Sequence, residues 1–291
     1  MDKILNADSL LFRCSSLGYI MIDPKEKSNA EKYAEAVTNL SKLNSDYEAI
    51  KNKETKTAAN KLAAIEKCKL LIKEIEPVKD ERPLADTVKN HLADKYVSAY
   101  YGRETDITNK YMRKGLMVEE DSMTLYSLVT NQFFQKNIKK YSNEFICGTP
   151  DMLKDEIVID IKSSWDIFTF YRTNKAKLNK MYYWQLQGYM ALTGAKSAKL
   201  AYCLVDTPQP LIFQELNNLK YKMGVTDVEN DETYATACEE MERLMKYDDV
   251  PREEKVNEII IERNDEDIER LYERIKECRA YMNKHLFKLA A

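Results

Sequence analysis

Two short stretches hold most of the chemistry available to this chain: Glu144-Phe-Ile-Cys-Gly-Thr-Pro-Asp151 and, after a brief gap, Glu156-Ile-Val-Ile-Asp160-Ile-Lys162. Read as strands, they form an antiparallel hairpin with Lys154-Asp155 at the turn and a β-branched second strand. Side chains alternate along a strand, so Asp160 and Lys162 project from one face while Ile159 and Ile161 project into the core. Pro150 fixes its own φ and drives Thr149 into an extended conformation, which aims Asp151 at the same sheet edge. Two carboxylates and an ammonium converging there suit a hard divalent cation, Mg²⁺ or Mn²⁺, that keeps open positions for water and a phosphate oxygen. A lysine beside such an ion orients and helps deprotonate the attacking water, or neutralises charge on the transferring phosphoryl group, and phosphodiester hydrolysis follows. A bare Asp-x-Lys is more often an exposed ion pair of little consequence. Gly-Thr-Pro-Asp upstream shifts the weight to the chemistry.

The elements that must position these groups can be read around them. Lys114-Gly115-Leu-Met-Val-Glu119-Glu120-Asp121 opens a helix predicted to run to about Ile138. Gly115 and Glu119, four apart, share a face on which the missing side chain lets a backbone or a phosphate approach the carboxylate. An acidic first turn is also what any helix prefers electrostatically. Downstream, Trp184-Gln185-Leu-Gln-Gly-Tyr189 is helical, with Gln185 and Tyr189 on one face.

Between 167 and 205 there is no Asp or Glu, yet Arg172, Lys175, Lys177, Lys180, Lys196 and Lys199 lie among Phe168, Phe170, Tyr171, Tyr182, Tyr183 and Trp184. Such a window reads as a surface that tracks phosphates and offers aromatic faces to bases, with half of the aromatics assigned to the core. Near the N-terminus, Arg13, Ser15 and Ser16 place one cation and two hydroxyls on an apolar turn, where Ser15 or Ser16 most often caps a helix.

Residues 24–76 carry helical periodicity without a glycine, which predicts two long helices in an antiparallel hairpin broken near 51–57. Residues 84–101 predict a helix stopped by Gly102. Residues 199–205 and 211–216 read as strands around Pro208-Gln-Pro210, and 231–246 and 266–286 as amphipathic helices.

Taken in order, Gly115-x-x-x-Glu119, Gly148-x-Pro-Asp151, Asp160-x-Lys162 and Gln185-x-x-x-Tyr189 resemble the PD-(D/E)XK nuclease signature, in the form carried by RecB-type nucleases and the lambda-exonuclease (YqaJ-type viral recombinase) family. The second acid is Asp rather than the commoner Glu, a variation the signature allows. The resemblance implies a restriction-endonuclease-like α/β core, a mixed central sheet flanked by helices, over 1–23 and 84–291, with 24–83 as a helical hairpin insertion. It implies metal ligation by Asp151, Asp160, the Ile161 carbonyl and Glu119, with Glu120 the neighbouring alternative. Lys162 would position and activate the water, Gln185 and Tyr189 would support that network or contact DNA, and Arg13 with Ser15 or Ser16 would hold a DNA phosphate. Arg172, Lys175, Lys177 and Lys180 would line the strand's path.

The implied activity is Mg²⁺-dependent DNA exonuclease of phage recombination type. The alternatives are a structure- or site-specific endonuclease on the same site, or a catalytically silent DNA-binding or assembly protein. Linear duplex ends are the implied substrate, with a single-strand annealing protein and further copies of the chain as implied partners. Some RecB-type relatives carry an iron–sulfur cluster on four cysteines; Cys238 and Cys278 are too few and too far apart to repeat that, so none is expected.

Composition agrees with this class. At 291 residues the chain has room for an ample core. Lys+Arg total 45 against 48 Asp+Glu, a net charge of −3, so any contact with DNA must be local. Six cysteines without a C-x-x-C pair argue against disulfides and structural zinc. The absence of both a signal-peptide pattern and an apolar run of roughly 20 residues leads to the expectation of a cytoplasmic protein, not a membrane one.

Overall fold

The computed structural model describes residues 6–80, 82–104, 109–173 and 177–287. The chain divides into two compact units, Met1–Met21 with Asp94–Ala291, and Ile22–Ala93.

From the N-terminus, β1 (Phe12–Arg13) leads through a 3-10 turn at Cys14–Ser16 into α1 (Leu17–Ile20). The helical unit follows, with α2 (Asn29–Glu48) packed on α3 (Lys56–Ile75). Ser28 starts α2 with a reciprocal capping box to Glu31, and Thr55 caps α3. The apolar stripe expected between them is narrow: Ala36, Ala58, Ile65 and Cys68 are its buried members. The unit boundary falls within α4 (Asp86–Tyr101), which stops at Gly102 with φ +65°.

The larger unit continues with α5 (Lys110–Met117) and α6 (Glu119–Thr130), then β2 (Tyr141–Ser142), β3 (Ile146–Gly148), β4 (Met152–Lys154) and β5 (Ile157–Ser163). After these come α7 (Ile167–Thr173), α8 (Lys180–Thr193), β6 (Ser197–Cys203), α9 (Gln209–Met223), α10 (Glu232–Arg243), β7 (Val256–Glu262) and α11 (Asp265–His285). The strands form two mixed sheets, ordered β1-β3-β2 and β4-β5-β6-β7. In the second, β5 and β6 run parallel with Lys162 opposite Tyr202, while β4 and β7 are antiparallel edges.

The sheet is covered on both sides, which is why Val158 through Ile161 are all buried. Ile159 and Ile161 pack with Met123 and Tyr126 of α6, while Asp160 turns toward α8. Helix α8 is buried along Trp184–Met190, and close approach is built in: a Cβ on Gly188 would lie 2.5 Å from a Leu17 methyl.

Four expectations are corrected. The predicted hairpin belongs to two sheets: β3 pairs with β1 and β2, and only β4 pairs with β5. Its turn is Asp155-Glu156, with φ of +49° and +61°, the left-handed pair that matches strand twist. The helix expected from Lys114 to Ile138 is two helices broken at Val118, so Gly115 and Glu119 do not share one helix face, and nothing approaches a Cβ built on Gly115 within 4 Å. It also ends early, at Asn131 in the left-handed conformation (φ +52°), and 132–140 run without helix. The stretch 211–216 is helical, inside α9, because Pro208 caps the turn and buries Leu211 and Ile212 on one side. The fourth strand of the larger sheet is β7.

Candidate active site

Asp151 lies in the bend between β3 and β4, where the chain leaves one sheet for the other. Its Oδ2 accepts the Ile161 backbone N–H at 2.8 Å, which ties it across to β5. Burial, and next the Asp160 charge, push its carboxyl up to about 7, against the pull of Lys162 and the Ile161 hydrogen bond.

Asp160 is 1% exposed. Its Oδ1 accepts from Gln185 Nε2 at 3.1 Å, and Oδ2 forms an ion pair with the Lys162 ammonium. Burial alone would depress the Lys162 pKa, but the Asp160 and Asp151 carboxylates outweigh it and the net shift is upward. Lys162 is therefore an ammonium at neutral pH, 5.2 Å above the Tyr182 ring. Gln185 also lies 3.3 Å from the Tyr189 hydroxyl, whose ionisation burial and Asp160 suppress.

The structure thus brings Asp151, Asp160, Lys162, Gln185 and Tyr189 together. Glu119, the first residue of α6, lies close enough for its charge to act on Asp151, but its carboxylate is paired with Lys136 at 2.8 Å. Among the described residues, no three acidic, His or Cys side chains stand within one metal's reach. The Asp151–Asp160 pair still fits a hard divalent cation in donor type: both are carboxylates, close enough for the Asp160 charge to raise the Asp151 pKa.

Other expected contacts are dispersed. Arg13 is exposed and 3.6 Å from Glu104. Ser16 Oγ donates to the Arg13 carbonyl at 2.9 Å, a local turn bond, and Ser15 is exposed. Arg172, Lys177 and Lys180 are exposed; Lys175 lies outside the described residues. The acid-free window does not stay acid-free in space: Lys196 pairs with Glu156 at 2.7 Å and Lys199 with Glu258 at 2.9 Å. Lys199 stands opposite Ile159 in register, so it projects from the sheet face away from Asp160. Of the aromatics, Phe170 and Trp184 are core, and Phe168 and Tyr171 are exposed.

Sequence reasoning missed Lys136 and Asn137. The Asn137 N–H donates to the Asp151 carbonyl at 2.8 Å and its Nδ2 to the Pro150 carbonyl at 2.9 Å, bracing the bend that carries Asp151. The one available signal was Asn131 as a helix stop. It also missed Lys114, whose fully buried Nζ donates to the Trp165 carbonyl at 2.9 Å just past β5. Burial lowers this lysine's pKa to about 8 despite Asp206 and Asp166.

The mixed α/β fold is shared with solved structures. A phage-related exonuclease from Haemophilus somnus 129PT overlays with a TM-score of 0.61 and 22% identity, over 97% of each chain. An alkaline exonuclease from Laribacter hongkongensis overlays at a TM-score of 0.48 and 14% identity, over 98% of this chain and 95% of that one. No family model and no curated protein matches the sequence.

Proposed function

We propose that this chain is a Mg²⁺- or Mn²⁺-dependent DNA exonuclease of the phage recombination type, acting on linear duplex ends. The observation that carries this reading is the convergence of Asp151, from the bend before β4, with Asp160 and Lys162 of β5, with Gln185 fixing one Asp160 oxygen. Asp151, Asp160 and the Ile161 carbonyl would hold a divalent cation, which would supply Lewis-acid polarisation of the phosphoryl oxygen and activation of water.

The chain's own groups do the rest. The Ile161 N–H holds one Asp151 oxygen and leaves the other for the cation, while Gln185 holds Asp160 Oδ1 and Lys162 pairs with Oδ2, so a cation on Asp160 would share that oxygen with the ammonium. Lys162, kept protonated by two acids, neutralises charge gathering on the phosphoryl oxygens and orients the water by donation rather than removing its proton. Tyr182 and Tyr202 flank Lys162 with ring centroids 6.4 Å apart, a wall against which a terminal nucleotide can pack. Arg13 with Ser15 or Ser16, and Arg172, Lys175, Lys177 and Lys180, are proposed as phosphate contacts.

The test is digestion in Mg²⁺ of linear duplexes labelled at either 5′ or 3′ end, with and without a 5′-phosphate, beside a closed circular plasmid. Mononucleotide release from linear DNA with the circle left intact is the expected result. A cut circle assigns an endonuclease on the same site, and binding without product assigns a silent binder.

A further inference from the structure

Glu119 and Lys136 form a built contact. Lys136 Nζ lies 2.8 Å from Glu119 Oε2, with the side chains 40% and 31% exposed. The segment carrying the lysine is anchored, because the next residue, Asn137, is tied by two hydrogen bonds to the carbonyls of Pro150 and Asp151. Its backbone is therefore anchored to the bend that carries Asp151, within reach of Glu119. Two acids of the site each have their own lysine, Asp160 with Lys162 and Glu119 with Lys136. With Glu119 held in this way, no three acids stand within reach of one ion among the described residues.

Resting on the reading of Asp151 and Asp160 as metal ligands, we propose that Lys136 is a positioning residue that competes with a divalent cation for Glu119 and yields it when a DNA phosphate takes up the lysine. One unit positive charge beside a carboxylate opposes the arrival of a dication there, and removing it strengthens that binding. A phosphodiester entering the cleft offers the ammonium another anion and frees Glu119 to turn toward Asp151. Metal and DNA then reinforce each other's binding, as linkage between two ligands requires.

The test is Mn²⁺ binding to the full chain, read as free Mn²⁺ by electron paramagnetic resonance, without and with a short duplex bearing phosphorothioate linkages. For wild type, a second, weaker site is expected that tightens about tenfold when the duplex is added. Lys136→Met should bind that second ion about tenfold more tightly without DNA, and the duplex should then add less than twofold. Lys136→Arg, which keeps the charge, should behave as wild type. Combining Lys136→Met with Glu119→Gln should erase the gain. Unchanged or weaker Mn²⁺ binding in Lys136→Met, or an equal effect of DNA in both proteins, overturns the inference; Lys136→Gln serves if the Met variant fails to fold by circular dichroism. An Asp160→Asn variant that binds Mn²⁺ as wild type does overturns the reading of the site itself, which keeps the two failures apart.

Discussion

Gln185 on α8 donates to Asp160 Oδ1 on β5 across 3.1 Å, and this one bond fixes how the most deeply buried acid of the site presents its other oxygen. Because that partner orients a carboxylate rather than contacting the substrate, Gln185→Ala is expected to lower kcat on linear duplex by about 10- to 100-fold while the far-ultraviolet circular dichroism stays as wild type. Full turnover in this variant would remove Gln185 from the network.

The Asp160–Lys162 pair makes a stability prediction. Lys162→Met leaves a carboxylate that is 1% exposed without its cation, and should destabilise the fold by about 3 kcal/mol. Asp160→Asn combined with Lys162→Met should recover much of that loss, since the orphaned charge is gone, while activity stays absent. Urea unfolding of the two single variants and the double variant measures the coupling.

Asp151 predicts how metal binding follows pH. Its carboxyl titrates near 7 in the folded chain against an ordinary 3.8, because burial and Asp160 disfavour the anion. The folded state thus binds the proton more tightly, so this group favours folding below its ordinary pKa and the contribution is lost as pH rises through about 7. Proton and divalent cation compete for the same carboxylate. Thermal protection by Mg²⁺ should therefore grow between about pH 6 and pH 8 and level off above, and Asp151→Asn should flatten the curve.

Lys114 has the opposite sign. Burial lowers it from 10.5 to about 8, so the unfolded chain binds the proton more tightly and stability should rise as pH increases from about 8 to 10.5. Lys114→Met removes the cost of burying the charge and should stabilise at neutral pH by up to roughly 3 kcal/mol, less about 1 for the Trp165 carbonyl it leaves unpaired. Urea midpoints at three pH values, compared with wild type, check both the gain and the loss of slope.

Much of the chemistry could be read without coordinates because it depends on neighbours in the chain. Strand alternation places Asp160 and Lys162 on one side of β5, and a four-residue helical spacing places Gln185 beside Tyr189; both hold in the structure. The helical hairpin, α4 and α11 were legible for the same reason, being long periodic runs, with side-chain N-caps on α2, α3 and α11 and Gly102 stopping α4. What tertiary structure alone decided is everything that depends on pairing distant segments: the division of the strands into two sheets, the partnering of β6 with β7, and the bracing of Asp151 by Asn137. Lys136 illustrates the physical reason. Nothing near it in the chain marks it, and it acquires its place only because a chain released from α6 at Asn131 crosses back over the Asp151 bend, bringing an ammonium to Glu119.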